Sequence, residues 1–370
     1  MQTNVIFQKE PEDGFYAELR RRVRTYFQDK QRSRYANGFM AAKCLLLFAV
    51  FVASYLLVLL ADVSLMTRWG LTLLLGVTFM VSSMNIVHDA CHEVLSPKRW
   101  VNTLLLYYCN LVGGNGYMYR CKHLLSHHPY TNIPGLDVDL QQSDLVRVVP
   151  ITKRRWYHRY QHWYMLLLYP FYTFFWLFFR DVRYFRRRRM GIKRALHARR
   201  EWVILVISKV VYFSYTLALP AWLLPLAWWQ IGIGFITMHI GAGFVAMFAL
   251  LSNHAGEDAH FVYPDEQGRI PTTWAIHQLN TTDDFSTNNP VVTFLFGGLN
   301  HHVAHHLFPR YCHVHYPAIT RIVAQTARDF GLEYRSKTLW QAVRSHFRLL
   351  KQQGTSPDRL PWLMDNPDLP

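Results

Sequence analysis

The sequence predicts an all-α, polytopic membrane protein with four transmembrane helices, additional interfacial or re-entrant helices, and a histidine-rich cytoplasmic cap holding two metal ions. Three observations carry that reading. Four apolar runs reach spanning length, at residues 44–61, 71–87, 202–228 and 231–251. Hydrophobic residues make up 51% of the 370 and charged ones only 17%, with the charge gathered in blocks. Histidines cluster at the ends of these runs, as in GGLNHHVAHHLFP at residues 297–309.

Taken in order, residues 1–40 form a charged cytoplasmic segment with no signal-peptide core, so the first apolar run serves as the insertion signal. Within it, residues 15–31 with Arg20, Arg21, Arg22 and Arg24 read as a helix at the membrane face. Runs 44–61 and 71–87, joined by a short turn with Asp62, Arg68 and Gly70, make a transmembrane hairpin that leads straight into His88–Glu93. Residues 101–119 are apolar but broken by Gly113, Gly114 and Gly116, so they are expected in the interface or as a re-entrant segment. Residues 163–179 are strongly aromatic and only 17 long, at the lower limit for a span.

The block that follows, residues 180–200, carries ten Lys or Arg and one acid, and belongs in the cytoplasm by the positive-inside rule. Residues 163–179 must then dip into the cytoplasmic leaflet rather than cross it. With runs 202–228 and 231–251 crossing, every histidine cluster and both termini fall on the cytoplasmic side. The chain is expected to be a single domain, with residues 1–40 as N-terminal helix, 41–256 as the transmembrane and interfacial region, and 257–370 as the cap. The net charge of +16 suits an anionic lipid surface or acidic protein carriers rather than a nucleic acid. Five scattered cysteines without a CxxC pair point to free thiols.

The chemistry lies in three clusters: His88 and His92; His123, His127 and His128; His302, His305 and His306. On a helix the i,i+4 pairs share one face, while His128 turns slightly off it. Eight imidazoles gathered at one membrane face would be costly to desolvate without a metal. That number exceeds one ion's coordination and implies two. Imidazole suits iron, zinc or copper, not calcium or magnesium.

HxxxH at His88, HxxxHH at His123 and HxxHH at His302 resemble the three histidine boxes of the membrane fatty acid desaturases. The flanks HHPYTNIPGLDVD (127–139), WYHRYQHWY (156–164) and HHLFPRYCHVHYPA (305–318) are similar to the bacterial acyl-lipid and linoleoyl-CoA desaturase-like branch. The likeness covers residues 15–350. It implies a di-iron centre with nine histidine ligands, dioxygen as co-substrate, and insertion of a cis double bond into a fatty acyl chain on a lipid or on CoA. The ninth ligand falls to His254 in NHAGEDAHF, with His277 in WAIHQL as the alternative. Asp89, Asp137, Asp139 and Glu257 are candidates to hold the far nitrogens of ligating imidazoles.

The same resemblance places the enzyme in a bacterial inner membrane. No His-Pro-Gly-Gly haem motif occurs, so electrons are expected from a separate ferredoxin, flavodoxin or cytochrome. The third box opens on His302 where front-end members of the branch commonly carry glutamine, and His301 and Ala304 replace an aromatic and a glutamate. His301 is expected off the ligand face. His239 reads as a satisfied mid-span contact, His158 and His162 as interfacial or locally bonded, and His313 and His315 as positioning groups. His197, His260 and His346 read as surface residues. Two other functions remain open from the residues: a hydroxylase or other oxygenase on the same scaffold, and a non-catalytic metal-binding membrane protein.

Overall fold

The computed structural model describes residues 5–140, 143–187, 189–250 and 253–358. Four helices in it are long and apolar enough to cross a membrane: Gly38–Leu60 (α2), Leu65–Cys91 (α3), the run Arg199–Leu223 that begins with α8 (Arg199–Phe213), and α9 (Trp228–Leu250). They match the four predicted runs, each beginning a few residues earlier, and in α2 and α3 a polar cap sets that start. The Asn37 side chain accepts from Met40 N to open α2, and Ser64 accepts from Thr67 N to open α3. The predicted end of the fourth run at Leu251, and Arg188 of the basic block, lie outside the described residues.

The bundle is held by close backbone approach together with a few polar contacts, such as Trp69 Nε1 donating to the Gln230 carbonyl at 3.1 Å. A Cβ on Gly76 would meet the Met238 carbonyl of α9 at 1.8 Å, and one on Gly241 would meet the Leu73 carbonyl at 2.6 Å. Small residues at helix crossings are the expected device where lipid removes the hydrophobic drive for association. Arg68 closes the first hairpin by donating to the Val58 and Ala61 carbonyls that α2 leaves without partners. Leu45, Leu46, Leu57 and Leu60 remain exposed along α2, as a lipid-facing surface requires.

The two segments expected not to cross are both broken into pieces too short to span. The first comprises α4 (Arg99–Leu106), a single turn at Tyr108–Leu111, and α5 (Gly116–Lys122). Gly113 sits at φ +83° between them, and a side chain there would strike the Tyr212 ring at 3.0 Å. The second begins with α6 (Gln161–Leu168), is interrupted at Pro170, makes a π-helical turn at Trp176–Arg180, and ends in α7 (Asp181–Arg186). Gly243 of α9 lets that interruption approach closely, since its Cβ would lie 2.0 Å from the Pro170 carbonyl.

The cap is built on α1 (Phe15–Asp29), α10 (Trp274–Thr281), α11 (His302–Leu307) and α12 (Tyr316–Asp329). Phe15, Leu19, Val23 and Phe27 recur every four residues and bury one stripe of α1 against Ile319, Val323 and Leu307. α13 (Leu339–Thr355) packs on the second broken segment, where Gln161 donates to the Leu350 carbonyl. Three short two-stranded ribbons add to the predicted all-α picture. β1 (Ile6–Gln8) runs parallel to β4 (Arg269–Thr273), β2 (Arg189–Met190) antiparallel to β3 (Lys193–Arg194), and β5 (Asp284–Phe285) parallel to β6 (Ser336–Lys337). All five cysteines are free.

Candidate metal centre

The three predicted clusters and His254 come together where α3, α5 and α11 converge. Ring nitrogens of His88, His92, His123 and His305 lie within 4.8 Å of one another, and so do those of His127, His254, His302 and His306. His128 lies between the two groups, its ring 4.8 Å from His92 and 4.5 Å from His306. Local folding explains each placement. His88 and His92 close the C-terminus of α3, one turn apart. His302, His305 and His306 share the short helix α11, whose N-terminus is held by Val303 N donating to Asp284 Oδ1 at 2.8 Å.

The second cluster corrects a simple helical reading. Residues His123–His127 form a π-helical turn, in which His128 N donates back to the His123 carbonyl five residues earlier. The wider turn brings His128 onto the working face, with its Nε2 3.1 Å from that of His123. His128 is therefore not turned away, as a regular 3.6-residue repeat would have it.

Hydrogen bonds outside the cluster set the imidazole tautomers. His127 Nδ1 donates to Asp137 at 3.1 Å, His254 Nδ1 to the Thr281 carbonyl at 3.0 Å, and His306 Nδ1 to Gln278 Oε1 at 2.8 Å. Those partners are acceptors, so the lone pair of each ring stays on Nε2. The Nε2 atoms of His92, His254 and His306 are buried and have no partner among the described residues. His305 Nδ1 pairs with Tyr316 Oη at 3.0 Å, while its Nε2 faces His88 Nε2 at 3.2 Å. A set of inward lone pairs without donors is what a cation would satisfy, so these residues fit a metal pair.

Electrostatics point the same way. Burial, followed by the neighbouring imidazoles, holds His92, His123, His128, His302, His305 and His306 well below the usual histidine range. His254 falls to about 4, mainly through burial. His127 is the exception. Burial lowers it, but Asp137 and then Asp139 more than offset that and raise it. The rings are thus mostly neutral, the form that binds metal.

The predicted carboxylates divide. Asp137 holds His127 as expected. Asp139 pairs with Lys122 at 2.7 Å and reaches His127 only at 3.9 Å. Asp89 comes no closer than 3.6 Å to His88 and instead accepts from His313 Nδ1 at 2.8 Å and from Cys312. His313 Nε2 in turn meets Lys43 of α2 at 3.0 Å, which ties the first span to the segment after the third box. Glu257 is turned to Arg348 and Ser345 and holds no imidazole.

His277 stands outside both groups. It donates through Nε2 to the Thr131 carbonyl and packs on Phe7. His301 is likewise outside, bonded to Thr320 and Thr293. His239 is satisfied by Tyr212 and Thr173. His346 is not at the surface: it is buried between the Tyr169 hydroxyl and the Ala255 carbonyl. Sequence reasoning missed Gln278, Tyr316, Thr131 and Asp284. Gln278 had a signal as the neighbour of His277, and Thr131 and Tyr316 lie in the flanks of the second and third boxes, but no spacing rule assigns any of them a partner.

The family model for fatty acid desaturase matches residues 64–338, about three quarters of the chain. The chain belongs to the fatty acid desaturase family. Among similar proteins, the sn-1 linoleoyl-lipid 6-desaturase of Arthrospira platensis is 34% identical over 358 residues, covering 93% of this chain and 94% of the relative. The protein of the same description from Synechocystis is 32% identical, covering 92% and 96%. The acyl-lipid (8-3)-desaturase of Physcomitrium patens is 32% identical, covering 94% and 73%. The buried histidine clusters of this desaturase could hold metal ions, and they lie at one end of the bundle of apolar helices.

Proposed function

We propose that this desaturase uses two iron ions and dioxygen to introduce a cis double bond into the acyl chain of a membrane lipid. His88, His92, His123, His127, His128, His254, His302, His305 and His306 serve as ligands. The observation that carries the proposal is the pair of four-imidazole groups with His128 between them. An all-nitrogen donor set favours iron over oxygen-seeking cations. Bound there with dioxygen, two external electrons and two protons, the metals would supply the oxidant that removes one hydrogen from each of two neighbouring methylenes, both oxygen atoms leaving as water.

The protein's own part is positioning and exclusion. Asp137, Gln278, Tyr316 and the Thr281 carbonyl fix ring orientation from outside, and such partners are typically worth 10–100-fold in metal affinity. Tyr119 stacks on His123 at 5.2 Å and, with Leu106, Cys109 and Leu177, supplies an apolar wall against which a methylene can lie without water. An acyl lipid is the favoured substrate because the relatives named above act on acyl lipids. Both termini and the metal centre are assigned to the cytoplasmic side of a bacterial inner membrane, following the basic residues Arg183, Arg186, Arg189, Lys193 and Arg194. All five are exposed and would meet anionic headgroups or an acidic ferredoxin, flavodoxin or cytochrome.

The test is expression in a host that makes only saturated and monounsaturated chains, with mass spectrometry of lipid methyl esters. New double bonds that vanish in His305→Ala are expected. Hydroxylated chains would instead indicate an oxygenase, and bound metal with unchanged lipids a non-catalytic metal protein.

A further inference from the structure

Arg180 is a buried cation whose hydrogen-bonding capacity is only partly used. It ends the π-helical turn Trp176–Arg180 and is 4% exposed. The other charges around it pair off. Lys209 Nζ lies 3.3 Å from Asp181 and 2.6 Å from the Gly113 carbonyl, and Lys122 lies 2.7 Å from Asp139. Arg180 itself has Nη1 3.4 Å from the Tyr172 hydroxyl, Nη2 3.8 Å from Asp181, and no acceptor for Nε among the described residues. One turn earlier, the buried Trp176 Nε1–H also lacks an acceptor among the described residues, and the guanidinium lies 4.1 Å over that indole. Two neighbouring donors left unmade in a buried setting carry a cost that a bound acceptor would remove.

Their position suggests which acceptor. Trp176 packs where a Cβ on Gly114 would lie 2.9 Å from the indole, next to Cys109. Tyr119, stacked on His123, packs in the same apolar cluster as Cys109 and Trp176. Tyr184, four residues after Arg180, donates to the Val138 carbonyl at 3.2 Å, next to Asp137, which holds His127. The unpaired donors thus border the metal centre on the side of the second histidine cluster. A fatty acyl substrate is apolar along its length and has one strong acceptor at its head end, the carbonyl oxygen, which takes two hydrogen bonds.

We propose that Arg180 and Trp176 bind the carbonyl oxygen at the head end of the acyl chain, so that double-bond position is counted from that end. This rests on the desaturase reading. An ester of a lipid and a thioester of CoA share that carbonyl, and either satisfies the site.

The test uses the iron-loaded protein in nanodiscs, without reductant, so that no turnover occurs. Affinity is measured for a monoacyl phospholipid with an ester linkage, for its ether analogue lacking the carbonyl, and for the matching acyl-CoA. The wild type should bind the ester, or the acyl-CoA, about fivefold or more tightly than the ether, and whichever of the two is tighter identifies the carrier. Trp176→Phe and Arg180→Gln should lose that preference while keeping iron content and melting temperature, and during turnover should give mixed double-bond positions. A wild type with no preference, or folded and iron-loaded variants that retain it, would overturn the assignment. If Arg180→Gln does not fold, Trp176→Phe, which keeps a ring beneath the guanidinium, decides alone. Carbonyl preference without any turnover would count against the desaturase reading instead, whereas turnover without carbonyl preference would count only against this site.

Discussion

Asp137 and Gln278 show how much of the centre lies one residue beyond the imidazoles. Asp137→Asn removes the carboxylate that holds His127, and Gln278→Leu leaves His306 Nδ1 and Thr131 Oγ1 without their shared acceptor. Each variant should weaken iron binding roughly 10–100-fold in competition with a chelator, with the helical content unchanged. Unaltered retention of iron in both would show that ring orientation is set elsewhere. At this scale the sequence was legible where chemistry is tied to spacing. HxxxH and HxxHH mark residues that a helix places near one face, and all seven of those histidines lie in the cluster together with His128. Partners such as Tyr316, eleven residues from His305, were illegible because their meeting depends on how α12 packs back on α11. Carboxylates near a box were a weaker guide: Asp137 holds a ring, whereas Glu257 ended against Arg348 because the chain turns away after His254.

Among the elements, the π-helical turn at His123–His127 is the one that periodicity hid. Apolar and polar pattern cannot signal one extra residue per turn, yet that residue decides where His128 points. The β2–β3 hairpin supports this turn from outside. Gly191 has φ +56°, and a Cβ there would stand 2.4 Å from the Leu125 carbonyl within the turn. Gly191→Ala is expected to destabilise the protein by roughly 1–3 kcal/mol, lowering the melting temperature and the iron content together. Gly232→Ala in α9, where nothing lies within 4 Å, should leave both intact. Equal effects in the two variants would mean that the hairpin does not brace the second box. The spans themselves were legible because length and hydropathy suffice for a helix in lipid, and only their ends, set by Asn37 and Ser64, were displaced.

At the scale of the whole molecule, an even number of crossings is what lets clusters from three distant parts of the chain meet at one end of the bundle. That logic was available from sequence, since the basic block at residues 180–200 and the histidines had to share a side. The buried Lys43–His313–Asp89 chain, which fastens α2 to the cap, was not, because a lysine just before an apolar run shows no partner until the fold is known. A membrane-impermeant thiol reagent should label Lys193→Cys only from the face that carries the metal centre, and Asp62→Cys, in the turn between α2 and α3, only from the opposite face. Labelling of both from one side would break the four-span topology. The central claim, a paired metal site built from nine histidines, is tested most directly by counting iron in purified protein whose activity has been confirmed. Two iron ions per chain are expected, with His254→Ala and His123→Ala each losing activity and falling to about one or fewer. Full activity with a single iron per chain, or two irons retained in both variants, would contradict it.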